Sequence, residues 1–137
     1  MQDLSLKNIS IGFIGAGNMA VSLIKGLLST GINPTNIWAA DIDQEKLERL
    51  AADSKVNTTR SEDFAATIDV LVLAVKPQAM KNVCLQLTNE INGSKPLIIS
   101  IAAGITTDNL AAWLGADSSI VRCMPNTPAL IGKGASA

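Results

Sequence analysis

The chain has 137 residues, enough for one domain with a sizeable core, and a formal net charge of -1 with no histidine. Its Lys and Arg residues are scattered and its aromatics are two Trp and two Phe, so no basic, aromatic-interleaved surface for nucleic acid is expected. Although 47% of the residues are hydrophobic, no apolar run approaches the roughly 18 to 20 residues that span a bilayer, which argues against a membrane-embedded helix.

The missing histidine removes the commonest general acid/base, the Ser-His and Cys-His nucleophile systems and the usual zinc ligand. No metal site and no catalytic side chain is therefore singled out, and any chemistry must come largely from a cofactor. Cys84 and Cys123 lie far apart without C-x-x-C spacing and are expected to be buried, inert thiols. The opening MQDLSLKN lacks the basic start, apolar stretch and cleavage site of a secretory signal. A cytoplasmic address is expected, with residues 1–8 as an extension of a single domain over 1–137.

Taken in chain order, Ile9 to Gly15 read as a first, buried strand that runs into Gly15, Gly17 and Ala20 at G-x-G-x-x-A spacing. Gly15 suits a tight turn, Gly17 lets backbone approach a pyrophosphate, and Ala20 keeps the next helix close to the sheet. The helix spans Asn18 to Thr30, with Leu23, Ile24, Leu27 and Leu28 on one face and Gly31 as its stop. A second strand, Asn36 to Asp41, places an acid where a ribose hydroxyl of a dinucleotide would be held. The plain alternative is a strand-to-helix turn with Asp41 as a solvated loop residue. A helix over Gln44 to Ala52, a short strand near Val56 and a helical turn from Ser61 follow.

Asp69 to Val75 is almost continuously apolar and β-branched, the pattern of a central strand buried on both faces. Pro77 opens a helix to about Glu90, with Met80, Val83, Cys84 and Leu87 at core-facing spacing. A strand from Leu97 to Ile101, a helix from Thr107 to Leu114 capped by Thr107 or Asp108, and a strand from Ile120 to Met124 complete the pattern. Six strands alternating with helices predict an α/β, Rossmann-type doubly wound parallel sheet of order 3-2-1-4-5-6, with a short C-terminal strand as an optional extension. Its ligand crevice would lie at the carboxyl ends of the first and fourth strands.

Three further segments fall on that edge. In Ala74-Val75-Lys76-Pro77, the lysine either holds a phosphate or ribose oxygen, acts in catalysis, or is simply solvated. After Ser100-Ile101, the small residues Ala102, Ala103 and Gly104 either leave room for a planar ring or serve close helix packing. In Met124-Pro125-Asn126-Thr127-Pro128, two prolines fix a polar loop that either reads a carboxamide or is a structural turn.

Together, GFIGAGNMA, LAVKPQ, ISIAAGIT and VRCMPNTPALIGKGAS closely resemble successive signatures of the cofactor domain of pyrroline-5-carboxylate reductases, from Ile9 onward. The resemblance implies reduction of the C=N bond of Δ1-pyrroline-5-carboxylate to L-proline in proline biosynthesis, with NADP(H) or NAD(H) as cofactor. It implies that Ile14, Gly15, Ala16, Gly17, Asn18 and Met19 hold the pyrophosphate. Ala74, Val75, Lys76 and Pro77 would contact the ribose and nicotinamide side, and Met124, Pro125, Asn126 and Thr127 would border the nicotinamide. Ser61 stands where many relatives have an asparagine that reaches the adenosine end.

Many relatives also carry Ser or Thr, often with Arg, after the second strand, where this chain has Asp41-Ile42-Asp43. A carboxylate facing the 2′-oxygen would favour NADH, while Lys46 and Arg49 on the next helix could reach a phosphate if Asp41 turns away. The resemblance further implies that complete relatives are about twice as long, with a helical second half that forms a homodimer or higher oligomer and supplies substrate-binding groups. A cofactor-binding but nearly inactive domain is the expectation. Two other readings stay open: a β-hydroxyacid or ketol-acid type dehydrogenase of similar build, or a non-enzymatic nucleotide-binding module.

Overall fold

The computed structural model describes residues 9–61, 63–115 and 118–123. Six short strands form one sheet: β1 (Ile11–Ile14), β2 (Ile37–Ala40), β3 (Asn57–Thr59), β4 (Val70–Leu73), β5 (Leu97–Ser100) and β6 (Ser119–Arg122). The order is β3-β2-β1-β4-β5-β6 with every pairing parallel, as the alternation of apolar runs and helical stretches predicts. The helices are α1 (Asn18–Ser29), α2 (Gln44–Ser54), α3 (Pro77–Ser94) and α4 (Thr107–Leu114), with 3-10 turns at Pro34–Asn36 and Asp63–Ala66.

Parallel strands joined by right-handed crossovers place helices on opposite faces where the strand order reverses. Two cores result. On one face Phe13, Ile37 and Val72 of the sheet pack with Ala20 and Ile24 of α1 and Leu47 and Leu50 of α2. On the other, Leu71, Leu73 and Ile98 pack with Phe64, with Met80, Cys84, Leu87 and Ile91 of α3 and with Leu110 and Leu114 of α4. The alternation Leu71, Val72, Leu73 between the two cores explains why β4 reads as an unbroken apolar run. Each fully buried aliphatic side chain contributes roughly 1.5–3 kcal/mol.

Element ends follow local chemistry. Asp43 caps α2 by accepting from Glu45 N at 3.1 Å and Lys46 N at 3.3 Å. The cap of α4 is Thr106, whose hydroxyl accepts from Asn109 N at 3.1 Å, one residue before the cap expected from sequence. The helical turn expected from Ser61 starts at Asp63, because the Ser61 hydroxyl accepts the Asp63 N–H at 3.2 Å and stands just outside it. Helix α3 runs to Ser94, beyond the expected Glu90, since Ile91 continues its buried stripe.

Gly12, central in β1, is required by packing: an added Cβ would fall inside contact distance of the Phe64 ring and 2.7 Å from Ile68 Cδ1. Cys84 is buried, as expected, but Cys123 is exposed, contrary to the expectation of two buried thiols. It follows the last residue of the edge strand β6, beside an apolar groove of about 330 Å³ between α1 and the β4–β5 face. No helix among the described residues is long and apolar enough to cross a membrane.

Candidate functional site

At the carboxyl end of β1 the chain turns through Gly15, whose φ of +105° lies in the region that L side chains rarely adopt. An added Cβ would stand 2.6 Å from the carbonyl oxygen of Ala74, so β4 leaves no room for one. The turn is held by Gly15 N donating to Ala40 O at 2.7 Å and by Ala74 N donating to Ile14 O at 2.8 Å. Gly17 is different. Its φ is −79° and a Cβ there would meet nothing within 4 Å, so neither backbone strain nor packing asks for glycine. Gly17 is also the N-cap of α1, an end that no side chain caps. The first-turn N–H groups and the positive end of the helix dipole are left for something outside the helix.

Asp41, half-buried after β2, reaches back to this turn. Its Oδ2 accepts the Ala16 N–H at 2.8 Å, and its Oδ1 accepts the Asp43 N–H at 2.8 Å. The carboxylate thus braces the glycine turn from 25 positions away, a contact that the sequence pattern does not announce. Asp41 also forms the wall of a cavity of about 150 Å³ together with Gly15, Ile14, Val75, Ile42 and Arg60. Ile42 is 82% exposed, an apolar side chain on the lining of a mainly apolar cavity in which Asp41 and Arg60 are the charged groups.

Arg60 is the residue that reading the sequence missed. The available signal was its position one residue past Thr59, the end of a third parallel strand on the same sheet edge. Lys46 and Arg49, the cations expected to reach a phosphate if Asp41 turned away, line a separate depression with Ala16, Gly17, Asn18 and Asp53.

The other expected site residues divide by position. Ala74 touches the turn, whereas Met19 is half-buried in the first turn of α1. Lys76 is exposed and N-caps α3 without a side-chain hydrogen bond, and Pro77 follows at the first helical position. Ser61 is exposed and lies outside the Asp41 cavity, its hydroxyl engaged with Asp63 N. Ala102 is buried, while Ala103 and Gly104 are exposed, with Gly104 at φ +81°. These three stand on the same sheet edge without lining that cavity. Met124, Pro125, Asn126 and Thr127 lie outside the described residues. Among the described residues no group of three or more His, Cys, Asp or Glu is placed to hold a metal ion.

Comparison with known proteins agrees with this geometry. The profile of the family described as NADP oxidoreductase coenzyme F420-dependent matches residues 10–104. The pyrroline-5-carboxylate reductase of Pseudomonas aeruginosa is 49% identical over 127 residues, which cover 92% of this chain and 46% of that protein. The solved pyrroline-5-carboxylate reductase of Coxiella burnetii superposes with a TM-score of 0.85 at 41% identity, covering 90% of this chain and 46% of the other. That of Plasmodium falciparum, solved with NADP bound, gives 0.78 at 29% identity, covering 92% and 45%. The chain spans a little under half the length of these relatives. The sheet order and the motif resemblance are both borne out. The chain belongs to the family described as NADP oxidoreductase coenzyme F420-dependent, and over nine-tenths of its length it is similar to pyrroline-5-carboxylate reductases.

Proposed function

We propose that this chain is the dinucleotide-binding part of a reductase that converts Δ1-pyrroline-5-carboxylate to L-proline, with NADP(H) or NAD(H) as cofactor. The observation that carries the reading is Gly17, a glycine that the fold itself does not need. Its missing side chain, at the uncapped start of a 12-residue helix, suits the close approach of a diphosphate to backbone N–H groups. The residues present therefore fit a dinucleotide. Ile14 to Met19 would hold the diphosphate, Asp41 and the cavity beside it the adenosine end, and Ala74 to Pro77 the ribose and nicotinamide side. Ala102 to Gly104 and Met124 to Thr127 would border the ring.

When bound, the reduced nicotinamide supplies a hydride to the electrophilic carbon of the substrate's C=N bond. The contribution of this chain is orientation: a rigid turn pinned by Asp41, and sheet-edge loops that fix where a ring can lie. No side chain of this chain is assigned as proton donor. Substrate binding and homodimer formation are placed in the remaining length of such a reductase, and a cytoplasmic location belongs to the same reading.

Titration of the purified chain with NADPH and NADH, followed by nicotinamide fluorescence, tests the proposal alongside an assay of pyrroline carboxylate reduction. Binding with little or no turnover is expected. Robust turnover would overturn the division of labour, and a folded chain that binds neither nucleotide would overturn the cofactor assignment.

A further inference from the structure

The lip of the Asp41 cavity holds one acid and one base in different situations. Asp41 N donates to Thr59 O at 3.2 Å, which extends the β2–β3 pairing and sets the next residue, Arg60, directly beside the end of β2. Both carboxylate oxygens of Asp41 accept backbone N–H groups, Oδ2 from Ala16 and Oδ1 from Asp43. Arg60 lines the same cavity and is exposed. It has no salt-bridge or hydrogen-bond partner among the described residues, and the neighbouring cations Lys46 and Arg49 line another depression. A guanidinium that pairs with none of the described residues, on the lining of a cavity whose acid is otherwise engaged, is suited to a ligand anion.

We propose that Arg60 is the residue that reads the 2′-phosphate of NADP and so sets the nucleotide preference of this site. The inference rests on the dinucleotide reading above and adds to it the choice between two nucleotides. A phosphate near Asp41 is repelled by the carboxylate, but a guanidinium at similar distance offsets that repulsion, since the two Coulomb terms scale alike with distance. The planar fork of Arg adds two parallel N–H donors that match phosphate oxygens, which a lone lysine cannot supply. The pairing of an acid after β2 with a base after β3 thus permits the phosphorylated ribose where the acid alone would reject it.

The test measures binding rather than turnover. Wild type, Arg60→Ala and Arg60→Lys are titrated by calorimetry with NADPH, NADH, adenosine 2′,5′-bisphosphate and 5′-AMP, with circular dichroism to confirm folding. Arg60→Ala is expected to weaken NADPH and the bisphosphate by roughly tenfold or more, leaving NADH and AMP within about twofold. Arg60→Lys should fall between, and the wild-type advantage of the bisphosphate over AMP should shrink as salt is raised. Equal losses for NADPH and NADH would assign Arg60 to the adenine or to structure, and unchanged affinities would move the phosphate contact elsewhere; either result overturns the proposal while leaving the dinucleotide site in place. Binding of no nucleotide by folded wild type would instead bring down the underlying reading.

Discussion

Two glycines with one residue between them serve different ends. Gly15 answers to the fold, through its φ of +105° and the Ala74 carbonyl 2.6 Å from where a Cβ would stand. Gly17 answers to whatever binds, since its surroundings are open. Gly15→Ala is therefore expected to destabilise the chain by more than about 1 kcal/mol in urea unfolding. Gly17→Ala should cost less than about 1 kcal/mol, the difference between the two residues at an N-cap, yet lower nucleotide affinity by tenfold or more. Equal behaviour of the two variants in both measurements would refute this division. Asp41 is expected to matter before any ligand arrives. Asp41→Ala removes the acceptor of the Ala16 and Asp43 amides and should cost roughly 1–3 kcal/mol, whereas a merely solvated loop acid would cost almost nothing.

At the scale of elements, the helices stop where local chemistry stops them, and one stop is suboptimal. Lys55, at the end of α2, holds φ +64° and ψ +17°, the left-handed conformation for which glycine has no Cβ penalty. Its ammonium donates to Ala52 O at 3.3 Å, an exposed contact of small worth. Lys55→Gly is expected to raise stability by up to about 1 kcal/mol, read as a higher urea midpoint with unchanged slope. Strands and helices were legible in the sequence where their periodicity was strong, as in the Asp69 to Val75 run and the Met80, Cys84, Leu87 stripe of α3. Their boundaries were less so. The Ser61 and Thr106 hydroxyls each decide a helical start by one hydrogen bond, and several hydroxyls or carboxylates near each boundary could have done it.

For the molecule as a whole, the doubly wound arrangement gives the two cysteines opposite fates. Cys84 stands on the core-facing side of α3, where burial pushes its thiol up to about 11 and keeps the reactive thiolate scarce at neutral pH. Cys123 is exposed past the edge strand. A thiol reagent at neutral pH should thus label one cysteine in the native chain and both in denaturant, with Cys123→Ser abolishing the fast reaction. The same winding brings the ends of β1, β2, β3 and β4 to one edge, where Gly15, Asp41, Arg60 and Val75 share a cavity although they are scattered along the chain. The sequence by itself determined the alternation of strands and helices and the glycine turn, because these follow from apolar periodicity and local backbone freedom, which act between near neighbours; the strand order was legible only through the doubly wound arrangement that such an alternation matches. Only the tertiary structure decided that Asp41 braces that turn, that Arg60 rather than Lys46 or Arg49 stands beside it, and that Cys123 is exposed. Those outcomes depend on which distant segments the parallel pairing sets side by side, and a one-dimensional pattern carries no distance between them.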